Sequence, residues 1–147
     1  MILVDTNVLV YAINLDAPQH EASRAFLEAI RSKKLEGVLV IQVLLEFFAI
    51  ITDQKRAAQP LTPESAWQQI DALRSFMPVL GSGDNLIDVL QEIAGSRKGP
   101  DIFDSYLAAQ MKALGISVLC TYNKKDFTGY ENVIVKSPDE FLETAES

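Results

Sequence analysis

Four short apolar runs punctuate the 147-residue chain, at 2–4 (ILV), 37–41 (GVLVI), 116–120 (ISVLC) and 133–135 (VIV), and the segments between them carry helical spacing. That alternation constrains the fold more than any other feature. A strand that must pass over a helix before meeting the next strand runs parallel to it, and a parallel sheet needs helices on both faces. The expected class is α/β: a three-layer α/β/α sandwich around a central, mostly parallel sheet, in one domain over residues 1–147.

The helical segments have their own signals. Between 19 and 33, Ala22, Ala25, Phe26, Ala29 and Ile30 form one apolar stripe. Residues 43–51 are apolar almost throughout and read as a buried helix. Thr62 and Pro63 are suited to the N-cap and first position of the next helix. It is expected to turn Ala66, Trp67, Ile70, Leu73 and Phe76 inward and to stop at Pro78. Further helices are expected over 85–94, ended by Gly95, over 101–114, ended by Gly115, and over 139–144 after Pro138. The segment 53–62, with Lys55 and Arg56, reads as a solvated loop.

Composition removes several functions. With Cys120 alone, no internal disulfide can form, and this fits a reducing cytoplasm. With His20 alone, neither a Cys/His zinc site nor a histidine-rich metal site is available. No apolar run approaches the roughly 20 residues that cross a bilayer. Asp5 breaks the apolar start, so a secretory signal is not expected. Thirteen basic residues against twenty acidic ones leave a net charge of −7, unlike a general nucleic-acid binder with a basic face. The question becomes whether the acids gather where a cation would neutralise them.

Four places suggest that they do. Asp5 directly follows the first strand, at the carboxyl end where open α/β sheets bind ligands. Asp5 or Thr6 could instead cap a helix from Asn7 onward. Glu46 interrupts the apolar VLLEFFAII, where an unpaired buried carboxylate costs several kcal/mol; otherwise it shares a wet stripe with Gln42, Ile50 and Asp53. Asp101 and Asp104 stand three apart at a helix start, where a cap and a first-turn acid would also be at home. Thr121 follows the strand ISVLC, with Asn123 and Asp126 in a loop that turn chemistry alone could explain. In a parallel sheet these places converge on one edge. Carboxylates within ~4–6 Å raise one another's pKa unless a cation joins them, and hard oxygen ligands select Mg²⁺ or Mn²⁺.

The ordered set resembles the PIN domain family. The matching motifs are Asp5-Thr6-Asn7 after the first strand, Glu46 in an apolar helix, Asp104 in DIFDSYLAA, and the stretch from Thr121 to Phe127. In size the chain is most like the VapC-type toxin ribonucleases of toxin–antitoxin pairs. The resemblance implies a metal-dependent endoribonuclease with Asp5, Glu46, Asp104 and Asp126 as its acidic set. Asp5, Asp104 and Asp126 would hold one or two Mg²⁺ or Mn²⁺ ions, and Glu46 would bind through water or help take a proton. Thr6, Asn7, Asp101, Thr121 and Asn123 would orient the acids or water. Hydrolysis would leave a 5′-phosphate and a 3′-hydroxyl. Arg97, Lys98, Lys124 and Lys125 flank this set and could contact RNA phosphates, or be ordinary solvated charges. Family membership also implies a homodimer and an antitoxin partner, for whose surfaces Trp67, Phe76, Met77 and Met111 are candidates. Two alternatives stand beside this reading. A non-catalytic partner-binding PIN-like domain would have no use for a complete acidic set. A phosphotransfer domain would want a second Asp two residues after the first, where Asn7 stands.

Overall fold

In the computed structural model residues 1–146 are described, with side chains through residue 143; Ser147, the last residue of the expected domain, lies outside them. Four strands form one sheet in the order β2-β1-β3-β4, with β1 over Ile2–Val4, β2 over Gly37–Val38, β3 over Val118–Cys120 and β4 over Ile134–Lys136. Every pairing is parallel, with Leu3 opposite Val38 and Leu119, and Leu119 opposite Val135. The second strand is shorter than the expected 37–41. Leu39 leaves the ladder to make an isolated parallel bridge with Val79, a residue the sequence placed in no strand. The helix α3 then begins at Ile41, two residues early, and runs to Ile51.

Helix α1, Thr6–Ile13, starts immediately after the first strand, where the alternative capping reading put it. It packs on α2 (His20–Arg31), and α2 packs on the terminal helix α7 (Pro138–Glu146). Helix α4 (Pro63–Arg74) lies against α3, and α5 (Leu86–Ala94) against α6 (Asp101–Leu114). Helix α1 also packs on α3, and helices flank the parallel sheet. The result is the three-layer sandwich expected.

The core is continuous through the sheet and its helices. Leu3, Val4, Phe26, Phe47, Met77, Met111 and Leu119 are fully buried in it. Each side chain of that size contributes about 1.5–3 kcal/mol on leaving water. Met77 and Met111 are therefore core and not candidates for a partner surface. Trp67 points outward, half-exposed, with its ring 5.0 Å from that of Phe48. Its position next to Ala66 explains the misreading: the inward stripe of α4 passes through Ala66, Ile70 and Leu73 and leaves Trp67 on its rim. The caps agree with the sequence. Thr62 Oγ1 accepts from the Ser65 amide at 3.1 Å with Pro63 in the first turn, and Gly115 ends α6 at φ 71°, a left-handed turn that favours glycine. Among the described residues no helix is long and apolar enough to cross a membrane.

Candidate active site

Successive connections leave β1 in opposite directions, first to β2 and then back across to β3, so the carboxyl ends of β1 and β3 border a topological switch point. Asp5 follows β1 and Thr121 follows β3. Asp5 is 8% exposed, and three donors converge on it. Oδ1 accepts from the Thr6 amide at 2.8 Å; Oδ2 accepts from Thr121 Oγ1 at 2.8 Å and from Asn7 Nδ2 at 3.3 Å. Capping and a place on the cleft are compatible: the carboxylate that caps α1 also lines the cleft. Burial pushes the Asp5 pKa up, the bonds from Thr121, Thr6 and Asn7 pull it back, and the charge of Glu46 adds to the rise.

Asn7 is oriented from behind. Its Oδ1 accepts from the Tyr122 amide at 3.0 Å, so Nδ2 must face Thr121 Oγ1, 3.0 Å away, and Asp5. The Asn123 amide also donates to Thr121 Oγ1 at 3.0 Å. Glu46 sits on α3, exposed to the cleft, as the wet-stripe alternative expects and not buried among its apolar neighbours. The helix buries Val43, Leu44, Phe47 and Ile51 but leaves Ile41 and Leu45 in solvent, and this frees a wet stripe through Gln42 and Glu46. Thr6 Oγ1 donates to Glu46 Oε2 at 3.0 Å. Gln42 Nε2 lies 3.1 Å from the Phe103 carbonyl and 3.4 Å from Glu46 Oε1, and Gln110 Nε2 donates to Gln42 Oε1 at 2.8 Å, tying α3 to α6.

Asp5, Thr6, Asn7, Glu46, Asp104 and Asn123 line one cleft of about 430 Å³. Asp104, in the first turn of α6, has its pKa raised to about 6, chiefly by burial and then by the charges of Asp126, Asp5, Asp101 and Glu46. Asp126 lies in the 3₁₀ turn Lys124–Phe127, exposed. Asp126 and Asp101 stand outside the cleft lining, and their fields reach Asp104. Asp101 is the first residue of α6 and caps nothing; the N-cap is Pro100. Among the described residues no three His, Cys, Asp or Glu side chains are gathered closely enough to hold a metal ion by themselves. The all-oxygen donors facing the cleft suit a hard divalent cation, and the repulsion that raises Asp104 is the deficit such a cation would remove.

The flanking bases are placed less simply. Arg97 donates to the carbonyls of Ile93 at 2.8 Å and Gly129 at 2.7 Å, and its guanidinium lies 4.0 Å over the Tyr130 ring. That engagement leaves it a strut between α5 and the 127–130 turn. Lys124 is ion-paired with Glu140 of α7. Lys98 and Lys125 are exposed and line no part of the cleft. Arg56 does line it, although its turn reads in the sequence as a solvated loop. The only hint was Asp53 three residues before, an ion-pair spacing too common to single out. A second groove, about 230 Å³, borders another face of α1; its one acid, Glu28, is paired with Arg31.

The PIN domain model matches residues 2–131. The chain belongs to the PIN domain family. It is 33% identical over 113 residues to ribonuclease VapC43 of Mycobacterium tuberculosis, covering 74% of this chain and 77% of that one. Ribonuclease VapC24 of the same organism is 30% identical over 145 residues, covering 88% and 91%. Among solved structures, VapBC2 of Rickettsia felis bound to a promoter DNA fragment aligns with a TM-score of 0.66 at 22% identity, over 93% of this chain and 98% of the matched one. That likeness supports the sandwich of this PIN domain.

Proposed function

We propose that this PIN domain is a Mg²⁺- or Mn²⁺-dependent endoribonuclease and the toxin of a toxin–antitoxin pair. One observation carries the reading: Asp5, Glu46 and Asp104, brought together from three distant segments, face one cleft at the switch point of the sheet, and their charges are felt at Asp104. The ribonuclease relatives supply the substrate class. Asp5 and Asp104 would hold the ion from the cleft wall, with Asp126 joining them from outside the lining. When bound, the ion supplies activation of water and neutralises charge on the phosphoryl oxygens. The chain's own contribution is positioning. Thr121 and Asn7 fix Asp5, and Thr6 and Gln42 fix Glu46, which is left free to take a proton at Oε1 or Oε2.

Antitoxin pairing is supported by the VapBC and FitAB complexes among the structural neighbours. Homodimerisation is supported by Ile41 and Leu45 on α3 and Phe103 on α6, large apolar side chains left exposed on two helices that Gln42 joins.

Calorimetric titration of Mn²⁺ into the wild type and Asp5→Asn tests the metal site, followed by cleavage of a mixed-sequence RNA pool with and without EDTA. Saturable binding lost in the variant, with EDTA-sensitive cleavage, is the expected result. A folded Asp5→Asn protein that cleaves at the wild-type rate would falsify the proposal.

A further inference from the structure

Among the described residues, the acidic cleft has one cationic side chain on its wall. Arg56 lines it beyond Ile50 and Glu46 of α3, and no other lysine or arginine is among the residues lining it. A polyanion entering a cleft of carboxylates needs at least one fixed positive contact, because a cation among the acids offsets their field only locally. The four basic residues that flank the acids in sequence do not supply it from the cleft wall.

Asp53 holds Arg56 in a particular way. Its Oδ1 accepts from the Lys55 amide at 2.9 Å, closing the turn, and its Oδ2 accepts from Arg56 Nε at 2.8 Å. The Asp53 carboxyl sits below its usual pKa because of the Lys55 amide and the Arg56 side chain, so this grip is ionised at neutral pH. Binding through Nε leaves the edge formed by Nη1 and Nη2 pointing away from Asp53. A guanidinium edge matches two phosphate oxygens at once, and a pre-oriented one loses less side-chain freedom on binding. Two other pairs at the same spacing, Glu28–Arg31 and Asp71–Arg74, lie within helices and border no acids of the site.

We propose that Arg56, aimed by Asp53, is the substrate-binding residue that grips an RNA phosphate at the rim of the acidic cleft. This rests on the nuclease reading above and names a contact for its substrate. Arg56 is exposed and Asp53 half-buried, so replacing Arg56 leaves the core untouched.

The test uses a fluorescein-labelled, mixed-sequence single-stranded RNA 20-mer. Binding is read in EDTA from about 50 to 300 mM salt, and steady-state cleavage in Mn²⁺. Arg56→Ala is expected to weaken binding about tenfold across the pool and to reduce the salt slope by about 0.7, the loss of one phosphate contact. KM rises while kcat stays within about twofold of wild type. Arg56→Lys restores the slope, and Asp53→Asn raises KM with the slope retained. An Arg56→Ala protein with wild-type salt slope and KM overturns this assignment and leaves the nuclease reading standing. A wild type that neither binds nor cleaves the RNA overturns the nuclease reading and this contact with it.

Discussion

Thr121 donates its hydroxyl to Oδ2 of Asp5 at 2.8 Å, joining the ends of two neighbouring strands that lie 116 positions apart in sequence. The hydroxyl has no freedom to do otherwise. It already accepts from Asn7 Nδ2 and the Asn123 amide, so its one proton goes to the carboxylate. Thr121→Val keeps the shape and removes the donor and the double acceptor together. Stability is expected to fall by about 1–3 kcal/mol, measured by urea unfolding, because two partly buried donors lose their acceptor. Mn²⁺ affinity is expected to fall about 10- to 100-fold in calorimetry, in proportion to the orientation Asp5 loses. Unchanged Mn²⁺ affinity in a folded Thr121→Val protein would show that Asp5 does not depend on this bond.

The raised pKa of Asp104 sets a pH dependence with a definite sign. Its folded-state value of about 6 lies above the ordinary 3.8, so the folded state binds more protons between those values than the unfolded state does. Without metal, this group therefore makes the fold less stable as pH rises from about 4 to about 6. Metal binding runs the other way, because the ion competes with that proton. Mn²⁺ affinity is expected to rise through pH 6, with proton release visible as a buffer-dependent binding enthalpy. A Mn²⁺ affinity that is flat between pH 5 and 7.5 would detach Asp104 from the ion.

Removing the Asp104 charge separates stability from function. Asp104→Asn relieves the repulsion from Asp126, Asp5, Asp101 and Glu46. At pH 8 the metal-free variant is expected to unfold at higher urea than the wild type while cleaving no RNA. A variant less stable than wild type at pH 8 and equally stable at pH 4 would mean that Asp104 interacts favourably with its surroundings when ionised.

Much of this was written locally in the chain. The four strand sites, the Thr62–Pro63 start and the Gly115 stop depend on residues within a turn or two of one another, so periodicity and caps locate them. The acids at Asp5, Glu46 and Asp104 were legible because each breaks an apolar run or opens a helix. Fates that depend on distant partners were not. Glu46 has the wet face that its stripe with Gln42 allowed, but that Leu45 beside it also stays in solvent follows from how α3 packs and not from its neighbours in sequence. Arg97 and Arg56 both read as loop cations. One meets Tyr130 and Gly129, more than thirty positions away, and the other reaches a cleft wall whose remaining residues come from α1, α3, α6 and the turn after β3. No local pattern distinguishes the two.

That contrast gives the last prediction. Arg97 is engaged by two carbonyls and an aromatic face between α5 and the turn before β4. Charged hydrogen bonds and a partly desolvated cation–π contact together make Arg97→Ala expected to cost about 2 kcal/mol in urea unfolding. Arg97→Lys should recover little, since an ammonium cannot span both carbonyls while lying flat on the ring. RNA affinity at a temperature where both proteins are folded is expected to match wild type, with the same salt slope. A weakened slope with unchanged stability would return Arg97 to the substrate-binding surface and remove it from the framework that joins α5 to the 127–130 turn.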